Sequence, residues 1–208
     1  MRILLIGANG QLGSDLVKVL PREDTTPLTH GEIEIRDPDS IHKALQTHRP
    51  DLVINTAAWH RVDDIEREPR PAFEVNALGV RNLALACREF NCALMHFSTD
   101  YVFDGRKRTP YEETDTPNPL SAYGISKLAG EHFIRYLWPK HYIVRSTGLY
   151  GVAGSSGKGG NFVETMLRLA RAGKPIRVVD DQVLTPTYTA DLAAASAPGT
   201  NLPGRSSS

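Results

Sequence analysis

The stretch Arg2-Ile3-Leu4-Leu5-Ile6-Gly7-Ala8-Asn9-Gly10-Gln11-Leu12-Gly13 decides the fold of this chain. Its first part is a short run of apolar residues, which is typical of a parallel strand buried on both faces. The residues that follow place Leu12, Leu16, Val19 and Leu20 at helical spacing, and Pro21 ends the segment. This pattern predicts an amphipathic helix that begins directly after the glycine-rich turn.

Three glycines, Gly7, Gly10 and Gly13, separate the predicted strand from the predicted helix. Glycine permits a tight turn and lets the backbone approach a pyrophosphate without a Cβ atom in the way. The N-terminus of the helix then offers free N–H groups and a partial positive charge to that phosphate. Strand, glycine turn and helix in this order predict a dinucleotide-binding site.

Composition excludes several classes of protein. The 208 residues suffice for one large domain, or for one domain with a small appendage. Lys+Arg and Asp+Glu are equal at 24, so affinity for a polyanion through a basic surface is not expected. No apolar run is long enough for a membrane span, and Cys87 and Cys92 fit no metal or redox spacing. We therefore expect a cytoplasmic protein with no metal, no nucleic acid and no membrane partner.

Strand and helix patterns alternate along the rest of the chain. Strands are predicted at 51–55, 92–98 and 141–145, and helices at 38–49, 71–90 and 122–137. A strand at 23–29 is less well formed, because Pro27 lies inside it. The alternation predicts an α/β fold, a Rossmann-like doubly wound parallel sheet.

The choice of dinucleotide is left open by the residues after this second strand. In a site that prefers NAD, a carboxylate near the strand end accepts a hydrogen bond from the ribose 2′-hydroxyl. Here Thr29 and His30 follow the strand, and Glu34 comes slightly later. Glu34 is therefore the candidate ribose ligand, and NADPH and NADH both remain candidates. Small residues after the third strand, Ala57 and Ala58, suit a backbone that lies against a flat cofactor.

A tyrosine and a lysine four residues apart, Tyr123 and Lys127, lie on one face of the helix predicted at 122–137. A buried ammonium beside a phenol is expected to lower the phenol pKa and prepare it for proton transfer. The spacing alone fits a surface pair equally well. Because the strand ending at Ser98 and Thr99 precedes this helix, these groups are expected to meet at the carboxyl edge of the sheet. His96, in mid-strand, is expected to be a packed core histidine.

Together these motifs resemble the extended short-chain dehydrogenases/reductases, and within them the dTDP-4-dehydrorhamnose reductase family. The resemblance is carried by the glycine motif, by Ser98-Thr99-Asp100-Tyr101-Val102-Phe103-Asp104-Gly105, by Tyr123-x-x-x-Lys127 with Leu128-Ala129-Gly130-Glu131, and by Asn161-Phe162. It extends from Met1 to about Leu192. It implies reduction of a 4-keto nucleotide sugar, of the dTDP-4-dehydrorhamnose to dTDP-L-rhamnose type, with NADPH or NADH.

The resemblance also implies a role for each matching residue. Tyr123 donates the proton, Lys127 lowers the pKa of Tyr123 and binds the nicotinamide ribose, and Thr99 orients the substrate carbonyl. The remaining positions that it implies for the cofactor are Gly7, Gly10, Gln11, Leu12, Gly13, Ala57 and Ala58. The oligomeric state stays open, with a homodimer among the options.

Three departures from the family pattern stand out. Gly148 replaces the family's tryptophan in Arg145-Ser146-Thr147-Gly148-Leu149-Tyr150, which leaves the sugar open, and Leu184 replaces a glycine in 181–187. The chain also turns small, polar and Pro/Gly-rich after Leu192. We predict an NAD(P)-binding Rossmann domain at 1–150, a partial substrate-binding lobe at 151–192, and a disordered or aberrant tail at 193–208. A truncated or frameshifted product with weak activity is expected.

Two alternatives to a reductase remain. A neighbouring nucleotide-sugar enzyme such as an epimerase fits the same motifs and returns its cofactor unchanged. A 4,6-dehydratase fits less well, since it wants acidic residues after Thr99 and only Asp100 is present. A non-catalytic NADP-binding regulatory subunit is the alternative from another class. The intact Thr99, Tyr123 and Lys127 argue against it, and the expected loss of part of the substrate lobe argues for it.

Overall fold

A five-stranded parallel sheet forms the centre of the computed structural model, which describes residues 1–153, 162–178 and 183–197. Its strand order is β2-β1-β3-β4-β5. The strands are β1 (Ile3–Ile6), β2 (Thr25–Leu28), β3 (Leu52–Asn55), β4 (Ala93–Thr99) and β5 (His141–Ser146). Every pairing is parallel, so all five carboxyl ends lie along one edge. The predicted α/β, Rossmann-like class is confirmed.

Proline in the second strand has a physical explanation in this order. Pro27 pairs with Leu5 of β1, and β2 is the outermost strand on that side. Because an edge strand has a free side, it tolerates a residue that has no backbone N–H.

Helices pack on both faces of the sheet. They are α1 (Gln11–Val19), α2 (Pro38–His48), α3 (Val62–Arg67), α4 (Arg70–Phe73), α5 (Val80–Glu89), α6 (Ala122–Leu137), α7 (Phe162–Arg171) and α8 (Thr189–Ser196). Residues of α2, α5 and α6 bury one core with the sheet, and residues of α1 and α8 bury the other. None of the helices in the described ranges has the length and apolarity needed to cross a membrane.

Two details of the helices differ from the sequence expectations. Val19 was placed on the buried face of α1 but is 41% exposed, whereas Leu20, the residue that caps the helix, is buried as expected. The helix predicted at 71–90 is interrupted by a π-helical segment at Glu74–Gly79 between α4 and α5. Such a widened turn is frequent near functional sites, and here it brings Asn76 to face α6.

The C-terminal part adds a small parallel pair, β6 (Leu149–Tyr150) and β7 (Thr187–Tyr188). After β7, α8 packs against α1, with Ala193 fully buried and Thr189 donating a hydrogen bond to the buried Asp15. The prediction of a disordered tail from residue 193 is therefore wrong for 193–197, because the small alanines fit closely against α1. Residues 198–208 lie outside the described ranges, and the division into domains stays a prediction.

Helix α7 exposes its apolar side chains. None of its residues is buried, and Phe162 and Leu167 are 62% and 50% exposed. Asn161 and the pair Asp181-Gln182, which the resemblance used, lie outside the described residues.

Candidate active site

One cleft of about 660 Å³ opens along the carboxyl edge of the sheet. It lies where a doubly wound sheet places its ligand. The catalytic and cofactor-binding candidates from the sequence line it, with the exception of Gly13: Gly7, Gly10, Gln11, Leu12, Glu34, Ala57, Ala58, Thr99, Tyr123 and Lys127. Tertiary structure therefore brings the glycine turn and the Tyr-Lys pair into one cavity.

The glycine turn uses its three glycines differently. Gly7 has φ +83°, and a Cβ atom there would lie 2.5 Å from Thr56 Oγ1. A Cβ on Gly13 would lie 2.1 Å from the carbonyl oxygen of Gly7. Gly13 thus does not line the cleft, but permits close packing of α1 on the turn. The cofactor-binding role that the resemblance implies for Gly13 stays a prediction beside this packing role.

The start of α1 carries donors suited to an anionic group. Gly10 caps the helix with no side-chain hydrogen bond to the first turn, and Gly10, Gln11 and Leu12 line the cleft. The Gln11 side-chain nitrogen is buried and has no hydrogen-bond partner among the described residues. An orphaned donor beside free helix N–H groups fits the diphosphate of a dinucleotide.

The outer end of the cleft mixes both signs of charge. Arg36 Nη2 donates a 2.7 Å hydrogen bond to Glu34, which lowers the pKa of Glu34. His30 Nδ1 lies 3.8 Å from the same carboxylate. Thr29, at the end of β2, is held by Glu32 through its N–H and hydroxyl groups. The predicted Glu34 thus lies in the cleft, but as half of an ion pair with Arg36.

Asn76 is a supporting residue that sequence analysis missed. Its amide oxygen accepts from Trp59 N–H at 2.8 Å, and its nitrogen donates to Trp59 O and to Ser126 Oγ at 2.8 and 3.0 Å. Ser126 Oγ donates in turn to the Tyr123 carbonyl. The cleft wall after β3 is therefore tied to the helix that carries Tyr123. The sequence signal for this role was the polar Asn76 on the otherwise small and apolar face of the helix predicted at 71–90.

Thr99 and Tyr123 meet at the centre of the cleft. The Thr99 hydroxyl donates to Asp100 Oδ1 at 3.1 Å and accepts from Tyr101 N–H at 3.2 Å, and it also contacts the Tyr123 phenol. Burial raises the pKa of Tyr123 to about 12, outweighing the Thr99 hydrogen bond. The expectation of a lowered phenol pKa is wrong for the protein without ligands, which instead keeps the phenol protonated.

Lys127 is one of the largest fully buried side chains of the protein. Its Nζ atom donates a 2.7 Å hydrogen bond to Phe97 O and lies 3.2 Å from His96 Nε2. Burial lowers the pKa of Lys127 to about 8. His96 is fully buried, as expected for a core residue, but it also contacts Lys127 directly.

A buried ion pair between Glu131 and Arg145 joins α6 to the neighbouring strand β5. Arg145 on β5 forms two hydrogen bonds to Glu131, of 2.9 and 2.7 Å, one turn after Lys127. The Arg145 guanidinium carbon also lies 4.9 Å from the Phe103 ring centroid. The pair therefore joins α6, β5 and the segment that follows β4.

The two departures in the C-terminal part are neighbours in space. Gly148 has φ +53°, and a Cβ atom there would lie 2.8 Å from Leu184 Cδ1. Gly148 lines the cleft, and a larger side chain at this position would meet Leu184.

Fold and site together define the class of protein: a Rossmann-like α/β protein, similar to the short-chain dehydrogenases/reductases, whose glycine turn and Tyr-Lys pair share one cleft. A family model described as the RmlD substrate binding domain matches residues 1–199. The chain belongs to the dTDP-4-dehydrorhamnose reductase family.

Individual relatives agree with this assignment. The chain is 42% identical over 196 residues to dTDP-4-dehydrorhamnose reductase of Aggregatibacter actinomycetemcomitans, covering 93% of this chain and 65% of that one. It is 43% identical over 195 residues to dTDP-4-dehydrorhamnose reductase of Streptomyces griseus, and this match covers 92% of this chain and 62% of that one. The chain thus spans somewhat less than two thirds of the length of these relatives.

A solved structure of dTDP-4-dehydrorhamnose reductase from Bacillus anthracis, in complex with NADP, superposes with a TM-score of 0.85. It is 40% identical, and the match covers 92% of this chain and 67% of that one. A solved structure of dTDP-4-dehydrorhamnose reductase from Clostridium acetobutylicum superposes with a TM-score of 0.85 at 42% identity. This match covers 93% of this chain and 68% of that one.

Proposed function

We propose that the protein reduces the keto group of a dTDP-linked 4-keto-6-deoxy sugar, of the dTDP-4-dehydrorhamnose type, with NADPH or NADH. The convergence of Thr99, Tyr123 and the buried Lys127 in one cleft with the glycine turn is the observation that carries this proposal. The family membership supports it as well.

The dinucleotide is proposed to lie along the carboxyl edge of the sheet. The first turn of α1 and the Gln11 amide hold its diphosphate, and Ala57 and Ala58 leave room for its flat rings. At the outer end, Glu34 accepts from the adenosine ribose, while Arg36 takes a 2′-phosphate where one is present. When bound, the reduced nicotinamide supplies the hydride.

The chain itself supplies geometry and one proton. Thr99 donates a hydrogen bond to the substrate carbonyl and fixes its orientation. Tyr123, which burial keeps protonated, donates its proton to the C4 oxygen as that oxygen gains charge. Lys127, in its protonated form, then stabilises the phenolate and binds the nicotinamide ribose. In the structure these side chains have separate partners: Thr99 donates to Asp100, and Lys127 contacts Phe97 and His96.

A test compares NADPH and NADH oxidation with and without dTDP-4-dehydrorhamnose, for the wild type and for Tyr123→Phe. We expect sugar-dependent oxidation by the wild type only. Conversion of the sugar with no net oxidation of cofactor would instead identify an epimerase. Tight cofactor binding with no turnover of any 4-keto sugar would identify a binding subunit.

A further inference from the structure

A chain of three buried side chains links β3, β4 and α6 beneath the cleft. Asn55 Nδ2 lies 3.1 Å from His96 Nδ1, and His96 Nε2 lies 3.2 Å from Lys127 Nζ. All three residues are at most 1% exposed. Water therefore does not provide alternative partners, and the donor and acceptor roles must agree along the chain.

The direction of the first hydrogen bond is set by the backbone. The Asn55 amide oxygen accepts from Ala57 N–H at 3.0 Å. Turning the amide would place its NH₂ group against that N–H, a contact between two donors. The Asn55 oxygen therefore stays on Ala57, and its nitrogen must donate to His96 Nδ1.

This direction fixes the state of His96. Its Nδ1 atom accepts, so that atom carries no proton. Burial lowers the pKa of His96 well below its usual range, so the ring is neutral and its one proton lies on Nε2. The Nε2–H group thus points at Lys127 Nζ.

Lys127 can satisfy that donor only as a neutral amine. An amine has one lone pair to accept from Nε2–H and still donates to Phe97 O at 2.7 Å, whereas an ammonium has no acceptor. Within the described part of the chain, no carboxylate lies within ion-pair distance of Lys127 to favour the charge. Glu131, one turn on, is the nearest acid in sequence, and it is already paired with Arg145 and Arg135.

Other groups near Lys127 give no decisive support to the charged form. Tyr123 on α6 is a neutral phenol, and Asp100 after β4 acts on the Tyr123 and Tyr101 phenols. Burial lowers the pKa of Lys127, while Glu131 opposes this effect. Electrostatics and hydrogen-bond direction thus point the same way.

We propose that Asn55 and His96 are positioning residues that hold the His96 proton on Nε2 and thereby favour the uncharged amine of Lys127 over its ammonium until a dinucleotide binds. Ribose hydroxyls then offer acceptors, and the diphosphate adds negative charge. Above about pH 8, where the amine form predominates in the free protein, Lys127 takes up one proton from solvent, and its Nζ atom turns from His96 to the ribose. This second step rests on the proposed function, whereas the state of the free protein does not.

The first experiment is NMR of the ligand-free protein labelled with ¹⁵N-histidine, with His96 assigned by its contacts to Asn55 and Lys127. We expect a bare Nδ1 and a protonated Nε2 from pH 8.5 to 9.5, where the amine form of Lys127 predominates. An Nδ1–H tautomer or an imidazolium in this range would overturn the proposal, whatever the enzyme reduces.

The variant Asn55→Asp is expected to reverse the donor and acceptor roles of the two His96 ring nitrogens. The carboxylate accepts from both Ala57 N–H and His96 Nδ1–H, so Nε2 becomes an acceptor and favours the Lys127 ammonium. We expect the His96 tautomer to switch in this variant. Retention of the wild-type tautomer contradicts the proposed role of Asn55, and the wild-type spectrum decides the proposal if the variant does not fold.

Cofactor binding supplies the third readout. Because one proton is linked to binding, the Kd for NADH is expected to rise by up to about tenfold per pH unit above pH 8 in the wild type. Lys127→Met is expected to bind more weakly and to lack this slope, and Asn55→Asp to shift its onset to higher pH. Cofactor binding in the wild type with no slope in this range would overturn the second step alone.

Discussion

Lys127 donates a 2.7 Å hydrogen bond to the backbone carbonyl of Phe97, 30 residues earlier in the chain. This bond holds the lysine against β4 rather than against the Tyr123 phenol. The Tyr-x-x-x-Lys spacing places both residues on one face of α6, but the strand decides where the Nζ atom rests. In the free protein the two side chains are therefore prepared separately, Tyr123 as a protonated phenol and Lys127 as a weakly basic amine.

Tyr123→Phe is expected to lower kcat for sugar reduction by about 10²- to 10⁴-fold, because the proton donor is lost while the ring remains. The Kd for NADPH should change little. Tyr136→Phe, at a phenol that is 86% exposed, is the matched control and should retain full activity. A Tyr123→Phe enzyme that turns over normally would remove Tyr123 from the mechanism.

The pH dependence of the reduction follows from the same residue. A pKa raised to about 12 keeps the phenol protonated throughout the neutral range. In the cofactor-free enzyme, deprotonation of Tyr123 should therefore not lower kcat/KM below about pH 10, and a fall beginning near pH 8 is expected from Lys127. Lys127→Met should abolish that fall in the residual rate. If the fall near pH 8 persists in this variant, another group causes it.

Glu131→Gln is expected to destabilise the fold by about 3–5 kcal/mol, since it leaves the guanidinium of Arg145 without its carboxylate. Thermal or urea unfolding measures this loss. Glu89→Gln, at a surface carboxylate paired with His42, is the control and should change stability by less than about 1 kcal/mol.

The loss should also depend on pH. Burial acts to raise the pKa of Glu131, but the hydrogen bonds from Arg145 outweigh it and the pKa is lowered. A lowered folded-state pKa contributes stability above the ordinary value of 4.5, and this contribution disappears as pH falls through the folded-state pKa. The wild type and Glu131→Gln should therefore converge in acid. A constant difference at all pH values would contradict the assignment.

Gly13→Ala is expected to destabilise the protein by about 1–3 kcal/mol and to weaken dinucleotide binding, because its Cβ atom would meet the Gly7 carbonyl at 2.1 Å. The backbone must shift, and α1 moves with it. Gly31→Ala is the control: its Cβ atom would have 3.9 Å to Thr29 Oγ1, its nearest neighbour. Equal stability of the two variants would show that the turn adapts without cost.

Arg36→Gln is expected to weaken NADPH binding by about tenfold or more relative to NADH, since a charged hydrogen bond to the 2′-phosphate is lost. Glu34→Gln should shift the preference the other way, because the carboxylate that accepts from a 2′-hydroxyl is neutralised. Fluorescence titration with each cofactor measures both. Arg22→Gln, at an exposed arginine outside the cleft, should change neither affinity. Equal losses for NADPH and NADH in Arg36→Gln would place Arg36 outside the phosphate site.

Much of the cleft was predictable because its signals are local. The glycine turn needs only residues 7–13, and Tyr123 and Lys127 share a helix face by spacing alone. The order of strands and helices then brings both to one sheet edge. Asn76 and the Asn55–His96 pair were not predicted, since their partners lie 17 to 50 residues away and no local pattern marks them.

The sequence by itself determined the parallel sheet, the glycine turn and the helix that carries the Tyr-Lys pair, because burial periodicity and turn chemistry act over a few residues. The segment 98–105 and the Tyr123-x-x-x-Lys127 motif were also specific enough to indicate the family. Tertiary structure alone decided the protonation of the site. Burial sets the pKa values of Tyr123 and Lys127 in directions that spacing did not reveal, and hydrogen bonds between distant strands assign the proton of His96. Packing likewise decided that the alanines of α8 form a helix against α1, since a small-residue segment gains stability only where a matching surface lies close to it.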